Sequence, residues 1–208
     1  MAADTETQAR QAFEAGDYQA ATTRLLEGYG PEVLGWLIQH AATRSDAEDA
    51  FARVAETCWT SLPDFRWDCS GRTWLYVLAR SALARIRRRP QARREIPRAE
   101  ITDLVASVRS QTKPWLRTDV KSEFRKLYES LDEDSQMLLS LRIDRDLPWE
   151  EIARILGEAG DVKKASARLR QRFQGIKARL RKQALANGLL ETSDASRAPG
   201  LRRDDEER

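Results

Sequence analysis

Apolar residues recur at the helical period through most of the chain, and in two stretches the opposite side is basic. Between Arg72 and Arg89 (RTWLYVLARSALARIRRR), Leu75, Leu78, Ala79, Ala82 and Ile86 fall at i, i+3, i+4, i+7 and i+11, which predicts one buried stripe. The same spacing gathers Thr73, Val77, Arg80, Ala84, Arg87 and Arg88 on the other side, with no carboxylate among them. The second stretch runs from Val162 to Asn187, where Val162, Ala165, Leu169, Phe173, Ile176 and Leu180 form a continuous apolar seam. Its remaining faces carry Lys163, Lys164, Arg168, Arg170, Arg172, Lys177, Arg179, Arg181 and Lys182.

Other segments complete an all-α pattern. A helical hairpin broken at Gly16-Asp17 is predicted over Thr5 to Leu26, then a turn at Gly28–Pro31 and a helix from Pro31 to about Thr43. Ser45 or Asp46 caps a further helix, in which Ala47, Ala50, Phe51, Val54 and Cys58 face inward. His40 falls on a helix surface. SLPDFRWDCSG is a loop that carries Phe65, Arg66 and Trp67. Prolines bound and interrupt the stretch Pro90 to Thr118, which reads as a linker with one short amphipathic helix at Ile101 to Val108. Beyond it come a helix with Val120, Phe124, Leu127 and Leu131 in register, an acid-capped helix at DEDSQMLLSLRI, and PWEEIARILG, which Pro148 starts and Gly157 stops. Two small helical domains follow from this pattern, 5–90 and 119–190, with linker 91–118 between them and a tail 191–208 that lacks apolar periodicity and is expected to be disordered.

Charge sharpens the picture. The net value is only +3, yet no Asp or Glu occurs between Val162 and Leu190. Segregation of that kind favours a polyanion, and nucleic acid is the commonest one. A helix, a glycine-containing turn (GEAGD) and a basic helix make a helix-turn-helix, whose second helix enters the major groove. The aromatic loop has the composition of a stacking platform for an unpaired base, alongside the simpler role of rings folded back on the core. Two cysteines and one histidine cannot supply a zinc set, so no metal or cofactor is expected. Asp64 and Asp68 are isolated carboxylates, which argues against a nuclease or any other enzyme. No apolar run is long enough to span a bilayer, and no signal sequence is evident, so a cytoplasmic chain without membrane attachment is expected.

Specific residues point further. DAEDAFARVAETCW, the aromatic loop and RTWLYVLARSALARIRRR resemble the second conserved region of extracytoplasmic-function sigma factors of bacterial RNA polymerase, with Asp46, Ala47, Glu48, Asp49, Val54, Trp74, Leu75, Tyr76, Ala79, Arg80 and Arg88 matching. EIARILG followed by VKKASARLR resembles that family's fourth region, through Glu151, Ile152, Ala153, Leu156, Gly157, Val162, Lys163, Arg168 and Arg170. The resemblance covers most of the folded chain. It departs at Ala52, Arg53 and Ala55 on the polymerase-facing helix, and at Ser81 and Arg85.

What the resemblance implies is promoter recognition, local melting and transcription initiation. Minus-35 duplex contacts would fall to Lys163, Lys164, Ser166, Ala167, Arg168, Arg170 and Arg172. Minus-10 contacts would fall to Phe65, Arg66, Trp67, Thr73, Trp74, Arg80, Arg87 and Arg88, and polymerase docking to Asp46, Glu48, Asp49 and Arg53. Implied partners are promoter DNA and core RNA polymerase through its beta and beta-prime subunits. An anti-sigma factor is a further partner that the resemblance allows, and the free chain is expected to be monomeric. The alternative is a stand-alone helix-turn-helix regulator that binds DNA without core polymerase. On either view the two basic helices are expected to stand apart, joined by the linker.

Overall fold

A computed structural model describes residues 2–88 and 120–189, and every regular element in them is helical. The first half holds α1 (Ala2–Glu14), α2 (Tyr18–His40), α3 (Arg44–Ser61), a 3-10 turn (Leu62–Asp64) and α4 (Gly71–Arg88). The second holds α5 (Val120–Glu129), α6 (Glu133–Leu139) with a π-helical continuation (Ser140–Asp144), α7 (Trp149–Ile155) and α8 (Val162–Ala186). The predicted linker, its short helix at Ile101 to Val108, and the tail 191–208 lie outside the described residues.

Local chemistry sets most of the boundaries. Gly16 takes φ 77°, which only glycine adopts at little cost, and Asp17 then caps α2 by accepting from the Ala20 N–H at 2.9 Å. Thr43, rather than Ser45 or Asp46, caps α3. Its hydroxyl accepts from the Asp46 N–H at 3.0 Å and donates to the Asp46 carboxylate at 2.7 Å. Asp161 caps α8 through the Lys164 N–H at 3.1 Å.

The turn expected at Gly28–Pro31 does not form: α2 is one helix of 23 residues that runs through it. Here α1 lies against α2, and a Cβ on Gly28 would collide with the Thr5 side chain. The glycine therefore serves the close approach of two helices instead of a reversal. Pro31 forfeits one backbone hydrogen bond, but Tyr29, Gly30, Val33 and Leu34 around it are buried, and their packing holds the helix together.

Leu25, Leu34, Trp36, Leu37, Phe51, Val54, Leu75, Tyr76 and Ala79, each at most 1% exposed, form the centre of the first half. Cys58 is an apolar filler in this layer, its thiol pushed up to about 12 by burial. In the second half Leu138, Leu141, Leu147, Ile152, Ile155 and Leu169 play the same part.

The halves do not stand apart. Helix α4 packs on α7, and the two cores merge into one hydrophobic cluster. Trp36 of α2 donates its indole N–H to the buried Ser140 hydroxyl at 3.0 Å. His40, expected on a surface, is buried at this junction, with Nδ1 2.8 Å from the Trp36 carbonyl and Nε2 3.2 Å from Ser140 Oγ. Its placement follows from Trp36, one turn earlier, whose ring lies 4.5 Å from the imidazole and carries it into the junction. The Arg72 guanidinium pairs with Glu32 through two hydrogen bonds, of 2.6 and 3.0 Å, and also reaches the Arg145 carbonyl at 3.0 Å. The two halves predicted from the sequence therefore meet at a packed junction in this conformation of the chain.

Candidate nucleic-acid interface

Helices α7 and α8 are joined by a turn in which Gly157 and Gly160 have φ of 66° and 92°. These left-handed positions let the chain reverse tightly enough for α8 to lie across α7. Ala165, Leu169, Phe173 and Ile176 bury the inner seam of α8, and the Trp149 ring meets Phe173 edge-on at 5.4 Å. What remains outward in its first turns is Lys163, Lys164, Ala167, Arg168 and Arg170, all exposed. Ser166, expected among the minus-35 contacts, is not on that outward face. It is 2% exposed and donates its hydroxyl to the Val162 carbonyl at 2.8 Å, because it sits on the α8 side that bears Ala165 and Leu169.

Several of these cations have carboxylate neighbours. Arg168 lies 3.4 Å from Glu158 and also donates to the Ala159 carbonyl, while Arg170 lies 3.9 Å from Glu150. Arg172 is held more firmly, donating to Asp132 at 2.8 Å and to the Ser135 hydroxyl at 3.2 Å. The Ser135 hydroxyl and backbone N–H both donate to Asp132, and with Arg172 they hold its carboxyl below the usual range, so it stays ionised.

On α4, Thr73 is fully buried, and its backbone N–H and hydroxyl both engage Ser70, so it does not belong to an outward basic face. Arg80 approaches Asp134 at 3.8 Å. Arg87 pairs with Glu133 and donates to the His40 carbonyl at 2.7 Å, closing the end of α2. Arg88 is exposed and donates to the Ala84 carbonyl of its own helix.

The loop between α3 and α4 is an aromatic stack. Phe65 lies on Trp74 with ring centroids 4.5 Å apart and planes at 16°, and leans on Trp67 at 4.9 Å. Trp67 meets Phe13 of α1 edge-on, with the Arg10 guanidinium 5.7 Å from its ring. Its φ of 56° is a strained backbone for a bulky residue, sustained by these ring contacts. Arg66 is exposed beside them. The rings are therefore folded onto one another and onto α1.

Asp46, Glu48, Asp49 and Arg53 share α3, and all four are half-buried. Glu48 is engaged by Arg44 at 3.0 Å.

Sequence reasoning passed over two groups that shape this surface. Glu6 of α1 accepts from the Gly71 N–H at 2.6 Å and so caps the basic helix α4 from a distant segment. Asp132, Glu133 and Asp134 were legible only as helix-start charges; that they reach arginines on two other helices has no local signal.

In comparisons with known proteins the chain is similar to RNA polymerase sigma factor YlaC of Bacillus subtilis, 32% identical over 138 residues that span 64% of this chain and 78% of that one. It is also similar to RNA polymerase sigma-H factor of Pseudomonas aeruginosa, 24% identical over 161 residues, 74% of this chain and 83% of the relative. No family model matches the chain, and no solved structure matches it.

Proposed function

Since this chain belongs to the RNA polymerase sigma factors, of the extracytoplasmic-function type, and so directs transcription initiation, we propose that it recognises promoters through two separate contacts made once it is bound to core polymerase. It performs no covalent chemistry; its action is to bind DNA and favour the melted strand.

The upstream contact is the outward face of α8. Lys163, Lys164, Ala167, Arg168 and Arg170 enter the major groove of the minus-35 duplex, and Arg172 holds the phosphate backbone after leaving Asp132. Ionic contacts fix register, and hydrogen bonds to base edges discriminate, each good bidentate contact by about 1–3 kcal/mol. The observation that carries this assignment is the helix-turn-helix geometry, with an exposed basic face free of Asp and Glu on α8 itself.

The minus-10 contact uses Arg80, Arg87 and Arg88 for the strand backbone. Phe65, Arg66, Trp67 and Trp74 accept a base that has left the stack, at a cost in unstacking of a few kcal/mol that the ring contacts offset. Thr73 and Ser166 drop out of the contact set because both are buried, and they support their helices instead. Asp46, Glu48, Asp49 and Arg53 on α3 dock on the clamp formed by the beta and beta-prime subunits. The chain works in the cytoplasm with its polymerase; no helix among the described residues is long and apolar enough to cross a membrane.

Run-off transcription on genomic fragments with core enzyme tests the proposal. Lys163→Ala combined with Lys164→Ala and Arg168→Ala should cut promoter-dependent product by at least about a hundredfold, at roughly 1 kcal/mol or more per lost contact. Unchanged product from a folded triple variant would refute the assignment of α8.

A further inference from the structure

Glu6, Arg10 and Phe13 fall at i, i+4 and i+7 on α1, so one stripe of that helix, about 10 Å long, carries all three. The stripe meets the aromatic loop at two places. Phe13 takes the Trp67 ring edge-on at 5.6 Å, and the Arg10 guanidinium lies 5.7 Å from the same ring. Glu6 accepts from the Gly71 N–H at 2.6 Å, where the loop turns into α4.

Glu6 is itself held in place. The buried Tyr29 hydroxyl donates to its other oxygen at 3.1 Å. Burial, reinforced by that carboxylate, raises the Tyr29 pKa, so the phenol keeps its proton and remains a donor. Gly71 packs so closely that a Cβ there would strike the Leu25 side chain. The first turn of α4 contains no acid of its own. The Ser70 hydroxyl accepts from the Thr73 N–H at 3.1 Å, and the Gly71 N–H is left to Glu6.

We propose that Glu6 is a positioning residue for strand opening: by fixing Gly71 it sets the start of α4, and with it the Trp74 ring on which Phe65 stacks. Together with the Phe13 and Arg10 contacts to Trp67, this fastens the second half of the loop to a single helix and keeps the ring platform assembled before a base arrives. A loop left unfixed would have to be ordered by the incoming base, and that ordering entropy would weaken capture. Both oxygens of Glu6 are engaged by protein donors, so it acts on the loop and touches no base itself.

This inference rests on the assignment of Phe65, Arg66, Trp67 and Trp74 to an unpaired minus-10 base. The test pairs Glu6→Gln, which keeps an acceptor at the same reach without the charge, with Glu6→Asp, which keeps the charge but withdraws it by one methylene. Val33→Ala, in the core of the same half, supplies a variant of lowered thermal stability. Each full chain is joined to core enzyme. Binding is measured to a single-stranded oligonucleotide copied from the non-template minus-10 strand of a fragment active in run-off. Protection of the minus-35 duplex on the same fragment is measured beside it, and hydrogen exchange of the Gly71 amide is read in the chain alone.

Glu6→Asp should weaken oligonucleotide binding by at least about fivefold and speed Gly71 exchange, as the loss of a charge-assisted hydrogen bond requires, with minus-35 protection changed by less than about twofold. Glu6→Gln should stay within about twofold of wild type in every readout. Unchanged oligonucleotide affinity in Glu6→Asp would overturn the proposal. So would a loss confined to Glu6→Gln, which would make Glu6 a dipole charge only, or an equal loss in Val33→Ala, which would make it a stability residue only. A wild type that transcribes without binding the oligonucleotide overturns the minus-10 assignment and this inference with it. A wild type that binds it, beside an unaffected Glu6→Asp, overturns this inference alone.

Discussion

His40 is the single histidine in the chain, and it is 7% exposed where α2 meets the second half. The Trp36 carbonyl can only accept, so Nδ1 carries the proton, leaving Nε2 to face the Ser140 and Tyr128 hydroxyls at 3.2 and 3.4 Å. Burial holds its pKa below the ordinary 6.5, and the Arg87 and Arg145 guanidiniums nearby act in the same direction. Tyr128 on the other side has its own phenol pushed up to about 12 by burial and stays neutral. Between the lowered folded pKa and 6.5 the unfolded chain binds more protons than the folded one. Stability contributed by neutral His40 is therefore complete above about pH 6.5 and is lost as pH falls below it. Urea unfolding from pH 7.5 to 5.5 should show the wild type weakening, and His40→Asn, which cannot titrate, staying nearly flat. Parallel curves for the two would remove His40 from the account.

At the scale of elements, α2 and α8 teach opposite lessons. Gly28 permits α1 to press on α2, so Gly28→Ala should destabilise the fold by about 1–3 kcal/mol through overpacking, less the helix propensity that alanine adds. Adding Thr5→Ala should recover part of that loss in thermal unfolding. A stabilised single variant would mean that α1 yields easily. The same glycine explains why the continuity of α2 was hidden: Gly28, Gly30 and Pro31 carry every local mark of a turn, and only contact with a segment 23 residues earlier overrides them. The stripes of α4 and α8 were legible because a buried face imposes its period on sequence, and Leu75, Ala79, Leu169 and Phe173 obey it. So was the helix-turn-helix, from Gly157 and the seam after it. What α4 does with its arginines was not legible. Arg80 and Arg87 meet acids from α6, more than 40 residues away, and Asp132 through Asp134 already had a sufficient local explanation as first-turn charges.

For the whole molecule, the central feature is one chain with two basic helices, several of whose arginines are paired with carboxylates of the same chain. Isolated, the chain should be a poor DNA-binding protein despite its basic helices. Joined to core polymerase, it should reach two distant stretches of one promoter. A dimeric regulator would behave differently, gripping a palindrome unaided. The most direct measurement is a hydroxyl-radical footprint of a promoter fragment with this chain alone, core enzyme alone and both together, with permanganate to reveal unpaired bases. The account predicts protection only when both are present, in two separated patches, with reactive unpaired bases in the downstream one. Equal protection by the chain alone, or a single duplex patch without unpaired bases, would contradict it.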